Sequence, residues 1–212
     1  MVKRILCTGL LALCASASAD DLFNLRDAGR AFAGWELRTD PAAAAGDVFT
    51  LRPDGVIASA GKPAGFLATT ASYRNYRLHV EWRWTEKPGN GGVLLHISDG
   101  PMDRVWPTSI QVQTKHGAAG DLLPMAAATF AEPPTSAPGA QPVIKARTGQ
   151  DSERPAGEWN SADIVSRDGT IDVTINGIAQ NRITSARPAE GRIGFQLEGA
   201  PYQLRNVTLE KL

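Results

Sequence analysis

Cysteine is almost absent. The 212 residues include two, Cys7 and Cys14, and both fall in an N-terminal stretch that reads as removable. Lys3 and Arg4 open it, an apolar run extends from Ile5 to Cys14, and the small residues Ala17-Ser18-Ala19 stand before Asp20-Asp21. This is the layout of a secretory signal peptide. The apolar run is too short to span a bilayer, which takes about 20 residues. The expectation is a signal peptide over residues 1–19, cleavage after Ala19, and a mature protein that is periplasmic or secreted. A mature chain without cysteine has no thiol nucleophile, no disulfide and no cysteine-held metal.

Three other shortages narrow the function. Neither sign of charge is in excess, with 22 basic against 22 acidic residues, and removing Lys3 and Arg4 tips the balance slightly acidic. No basic stripe is offered to nucleic acid. No second long apolar stretch exists, so no membrane insertion is expected after cleavage. Helical periodicity is nearly missing; only Leu25 to Phe32 suits a short helix.

What is present is alternation. Tyr76, Leu78, Val80, Trp82 and Trp84 interleave with Arg77, His79, Glu81 and Arg83, a strand with one buried face. Ile171, Val173 and Ile175 repeat the pattern and run into Asn176-Gly177, whose residues tolerate positive φ in a tight hairpin turn. Ile178 then begins a return strand. Ile193, Phe195 and Leu197 alternate as well, and Leu204, Val207 and Leu209 do so less regularly. Pro53-Asp54-Gly55, Lys87-Pro88-Gly89-Asn90 and Arg167-Asp168-Gly169 supply turns. Many short strands between turns predict an all-β sandwich or barrel, long enough over residues 20–212 for one core. Met125 to Gly157 breaks the rhythm: it is rich in Ala, Pro, Ser and Thr, with five prolines. It predicts a long loop over the sandwich edge, near the site.

Several short motifs, taken in order, resemble the 3-keto-disaccharide hydrolase domain family. Leu22-Phe23-Asn24 and Gly34-Trp35 match its opening. Gly65 to Thr69, Tyr73 and Tyr76 to Arg83 match its central strand. Asn90-Gly91-Gly92-Val93-Leu94-Leu95-His96 matches an Asn-Ser-Gly strand, and Trp106-Pro107-Thr108-Ser109-Ile110-Gln111-Val112-Gln113 a strand usually read as Trp-Pro-x-Ser-Ile-Glu-x-Gln. Gly117 to Asp121, Glu158-Trp159-Asn160, Asn176-Gly177, Gly191 to Gln196 and Arg205-Asn206 complete the series. The resemblance spans essentially the whole mature chain. It implies a concanavalin-like jelly roll of two antiparallel sheets, and an enzyme acting on sugars already oxidised at carbon 3.

A ketone at C3 acidifies the hydrogen on C2. A base removes that proton, the glycosidic oxygen on C1 leaves, and water adds back. Such a site needs a base near C2, a proton donor or Lewis acid at the leaving oxygen, and a stabiliser for the enediolate. If the family topology holds, one concave face carries His79, Glu81 and Arg83 on the central strand, His96, Gln111 and Gln113 on its neighbours, and Gln196 and Glu198 on a late strand. The catalytic candidates are Glu81, His96, Gln111 and Glu198. Glu81 is the first choice for a base, or else an ion-pair partner of Arg83 or Arg77. His96 is an acid, a base, a metal ligand or a hydrogen-bonded cleft histidine. Glu198 binds sugar hydroxyls or caps the turn at Gly199. The substrate-binding candidates are His79, Arg83, Trp106, Gln113, His116 and Gln196. Trp106 and Trp159 suit sugar stacking or the core; His116 sits in an exposed turn. No cofactor is fixed by the sequence; a divalent metal stays open, with His79, Glu81 and His96 as a two-histidine, one-carboxylate set for it.

Gln111 departs from the family pattern, which has Glu there. An amide does not take a proton at neutral pH. Two readings therefore stay open: an exported 3-keto-glycoside hydrolase working beside a sugar 3-oxidoreductase, or a carbohydrate-binding sandwich that has lost its chemistry. An ordinary glucanase is not indicated, because no strand alternates several carboxylates.

Overall fold

The computed structural model describes residues 19–212; the rest of the expected signal peptide, with both cysteines, lies outside the described residues. The eight-stranded sheet runs β14 (Ile178–Ile183), β13 (Thr170–Ile175), β12 (Asn160–Arg167), β6 (Tyr76–Trp84), β16 (Tyr202–Lys211), β4 (Ile57–Ser59) and β3 (Phe49–Leu51), with β1 (Asp20–Asp21) also paired to β16. The six-stranded sheet runs β11 (Leu122–Met125), β10 (Ser109–Gln113), β7 (Gly92–Ile97), β15 (Arg192–Leu197), β5 (Ala64–Thr69) and β2 (Trp35–Asp40). Two short strands, β8 (Met102–Asp103) and β9 (Trp106–Pro107), pair by themselves. Every pairing is antiparallel. The result is the jelly-roll sandwich that the alternation and the resemblance imply. Where a short helix is expected near Leu25, a single turn of 3-10 helix forms at Ala28–Arg30; one α-turn at Ala45–Val48 is additional.

The alternating residues of β6 bury between the sheets against Ile164, Val173, Leu204 and Leu209 of the same sheet and Val93, Leu95, Ile110, Val112, Phe195 and Leu197 of the other. Burying such side chains contributes about 1.5–3 kcal/mol each. The hairpin turn has positive φ at Asn176 (49°) and Gly177 (80°), as the Asn-Gly pair predicts. The irregular spacing in β16 has a local cause. Its register shifts between Arg205 and Thr208, with Asn206 at φ 49°, so a bulge absorbs the extra residue.

β7 and β10 are buried along their whole lengths. Their inward side chains join the main core. Leu94 and Ile97 form a second cluster with Phe66 and Ala68 on the other side of the sheet. The segment between β7 and β10 returns over that side, with Ser98 N–H bonded to the Thr108 carbonyl and Arg38 Nη1 donating to Met102 Sδ at 3.6 Å. It covers part of the outer face and leaves the end near Gln113 and Leu197 open.

Candidate active site

Gln111 and Gln113 on β10 and Gln196 on β15 project from the outer face of the six-stranded sheet, because Ile110, Val112, Phe195 and Leu197 take the core side. β7 lies between those strands, and Gly92 leaves the space that the amides fill. A Cβ at Gly92 would stand 2.6 Å from Gln111 Cγ and Nε2. Gln111 Nε2 donates to Gln113 Oε1 and to Gln196 Oε1, both at 2.9 Å. Gln196 Nε2 in turn donates to Glu198 Oε2 at 2.9 Å. The three glutamines are 2–6% exposed. Gln111 Oε1 and the nearby Asn90 Oδ1 are buried without a protein partner, an arrangement that costs about 1–3 kcal/mol per atom where nothing satisfies it.

These residues line a cleft of about 370 Å³. Glu198, Arg104, Lys115 and Trp106 stand around it, and Gln141 to Ile144 of the long loop form one wall. The loop thus lies beside the site, as expected. Reciprocal backbone bonds between Leu122 and Lys145 hold it there, as does Glu132, which accepts from Thr184 N–H at 2.8 Å and Thr184 Oγ1 at 2.9 Å. The Glu198 side chain opens into the cleft, yet the walls around its carboxyl strip away water and raise its pKa; Lys115 and Arg104 pull the other way. A carboxylate in this setting is suited to proton transfer.

The structure brings together Gln111, Gln113, Gln196, Glu198 and Trp106. It does not bring in the other candidates. Alternation from Leu94 would put His96 on the cleft face, but His96 has φ 55° and the β7–β15 register shifts beside it. Its ring turns into the interior, fully buried. There Nδ1 donates to the Pro188 carbonyl and Nε2 meets Ser166 Oγ, both at 2.9 Å. Burial lowers its pKa, against the Pro188 carbonyl and Glu190, so it is a neutral packing residue. Gly191 is the companion of this bulge: a Cβ there would lie 2.5 Å from the His96 carbonyl carbon.

His79, Glu81 and Arg83 face away from the cleft altogether. β6 belongs to the eight-stranded sheet, so their polar face is the opposite surface of the sandwich. Glu81 Oε2 accepts from Arg205 Nε at 2.6 Å and Oε1 from Asn206 Nδ2 at 2.7 Å. The β16 bulge turns both of those side chains outward to meet it. Burial would raise the Glu81 pKa, but Asn206, Arg205 and His79 outweigh it and hold the carboxyl below its usual value. His79 Nδ1 pairs with Asp163 at 2.6 Å. Arg83 donates to Gln203 Oε1 at 2.8 Å, and Arg83 and Arg205 lie 4.6 and 4.1 Å from the Trp159 ring centroid. Trp159 therefore covers arginines and does not line the cleft. His116 sits outside the rim, its Nδ1 3.0 Å from Glu153 Oε1.

The metal set His79, Glu81 and His96 is split between an outer surface and the interior. Among the described residues no group of three or more His, Cys, Asp or Glu is placed to hold a metal ion. Lys115 and Arg104 were not among the expected residues. Lys115 continues the outward series 111, 113, 115, a signal the sequence carries. Arg104 reaches the cleft only through the returning segment, and no periodicity announces it. Asn90, the last residue of the Lys87–Asn90 turn, borders the cleft.

A family model described as a 3-keto-alpha-glucoside-1,2-lyase-like domain matches residues 18–210. No curated protein sequence matches the chain. Among solved structures, a Parabacteroides distasonis protein named only provisionally as a glycosyl hydrolase is 20% identical, covering 90% of this chain and 92% of its own, with TM-score 0.64. A second protein of that organism, named in the same provisional way, is also 20% identical, over 84% of this chain and 99% of its own, with TM-score 0.56. A carbohydrate-binding module from Bacillus subtilis is 10% identical, over 84% and 96%, with TM-score 0.57. At these identities the likeness establishes the fold.

Proposed function

The chain belongs to the 3-keto-α-glucoside-1,2-lyase-like domain family, and from that premise we propose that it cleaves glycosidic bonds of 3-keto-glycosides in the cleft of the six-stranded sheet. The observation that carries the reading is the placement of the Glu198 carboxylate, joined to the amides of the cleft floor, in a cleft that also holds an ammonium and a guanidinium. Glu198 takes the C2 proton. The electron pair passes through the C2–C3 enediolate and expels the oxygen on C1, leaving a 1,2-ene conjugated with the C3 ketone. Arg104 stabilises the enediolate charge, and Lys115 protonates the departing oxygen. Water then adds at C1 while a proton returns to C2, so the net change is hydrolysis. Gln113 and Trp106 hold sugar hydroxyls and the ring face.

We further propose that the protein is exported and works beside an oxidoreductase that makes the ketone. The test is turnover of a 3-keto-disaccharide panel with the unoxidised sugars as controls, with and without chelator. Release of reducing sugar from the keto compounds alone supports the reading; loss of activity with chelator assigns the Lewis acid to a metal.

Gln111 favours a second reading, a carbohydrate-binding sandwich without catalysis, because an amide lies on the cleft floor where the resemblance leads to a carboxylate. Sugar binding with no cleavage of any keto compound is the result that selects it.

A further inference from the structure

The amide chain that ends on Glu198 has a direction, and Gln111 sets it. A carboxamide presents an oxygen on one side and a nitrogen on the other. Gln111 gives both of its nitrogen's bonds to oxygens, those of Gln113 and Gln196. With its oxygen held, Gln196 has its nitrogen on the side of Glu198, 2.9 Å from Oε2. Turning Gln111 over would set its oxygen against two others. Gln113 Oε1 is further fixed by the Lys115 backbone N–H at 3.4 Å.

We propose that Gln111 is a positioning residue for Glu198: its amide nitrogen orients Gln196, so that Gln196 donates to the Glu198 carboxylate. A carboxylate at position 111 would do the reverse. It only accepts, so it draws the Gln196 nitrogen to itself and leaves the Gln196 oxygen facing Glu198. One planar amide does not serve two carboxylates on opposite sides. The glutamine is then a working part of this cleft, not the residue of a lost base. This rests on the reading of Glu198 as the cleft's proton-transfer group. Burial already raises the Glu198 pKa, so a lost donor is felt there. The charged groups that face it are Lys115, following β10, and Arg104, following β8; Asp103 and Asp121 also line the cleft. Replacing an amide by an apolar side chain changes none of these four charges.

The experiment follows the Glu198 carboxyl carbon by NMR through a pH titration, in the wild type, Gln111→Met and Gln196→Met, with Glu198→Gln to assign the resonance. Both methionine variants remove an amide without adding charge. The expected result is a higher Glu198 titration midpoint in each, by up to about one unit, or about tenfold tighter proton binding. A wild-type midpoint in either variant overturns the proposal. If Gln111→Met does not fold, as judged by thermal unfolding, Gln111→Ser takes its place under the same criterion. The titration uses no substrate, so a protein that fails to cleave keto sugars still gives its answer. Conversely, unshifted midpoints in a protein that does cleave keto sugars overturn the role of Gln111 and leave the proposed activity standing.

Discussion

The two outer faces of the sandwich carry polar residues in the same period-two pattern and use them differently. On the eight-stranded sheet the charges close on one another. Glu81 is held by Arg205 and Asn206, His79 by Asp163, and Arg182 by Asp172 at 2.7 Å, while Trp159 covers two guanidiniums. On the six-stranded sheet the groups are amides, the three carboxylates Glu198, Asp103 and Asp121, and two cations around a cleft, and Gln111 Oε1 has no protein partner. A face whose donors and acceptors are matched is finished as a surface. A face with an open carboxylate and unmatched buried oxygens is arranged for something else to complete it.

The largest disturbance removes what both faces rest on. Leu95→Ala empties a fully buried position of the shared core and should lower stability by about 2–5 kcal/mol, read by denaturant unfolding. Gly92→Ala sharpens the contrast by striking the cleft alone. Its Cβ has to displace Gln111, so about 1–3 kcal/mol of overpacking is expected, with turnover falling more than stability accounts for. His96 tests the interior between the faces. Its pKa is lowered on folding, so the folded state binds fewer protons than the unfolded chain. Stability is therefore full above the unfolded histidine value of about 6.5 and is lost as pH falls through it, by at most about 1.4 kcal/mol per pH unit. Thermal unfolding between pH 7.5 and about 5 reads this, and His96→Gln should flatten the dependence. Glu81→Gln should have the smallest effect, about 1 kcal/mol after allowing for the exposure of its partners, with turnover unchanged.

Alternation made much of this legible in the sequence. It identified β6, the β13–β14 hairpin and β15, while the family resemblance supplied the placement of Gln111, Gln113, Gln196 and Glu198 on one face. It did not say which of two outward faces a strand presents, because that depends on the sheet it joins. Glu81 was misplaced for this reason. It also assumes unbroken pleating. His96 was misplaced because one residue in the left-handed region reversed the parity of β7. Arg104 was invisible because a segment without periodicity carries it back over the sheet.

Which face carries the chemistry is decided by comparing Glu198→Gln and Glu81→Gln for turnover of a 3-keto-disaccharide. Turnover should fall about 10²–10⁴-fold in the first and stay at the wild-type level in the second. Activity that survives in Glu198→Gln and disappears in Glu81→Gln would contradict this assignment and move the chemistry to the opposite face.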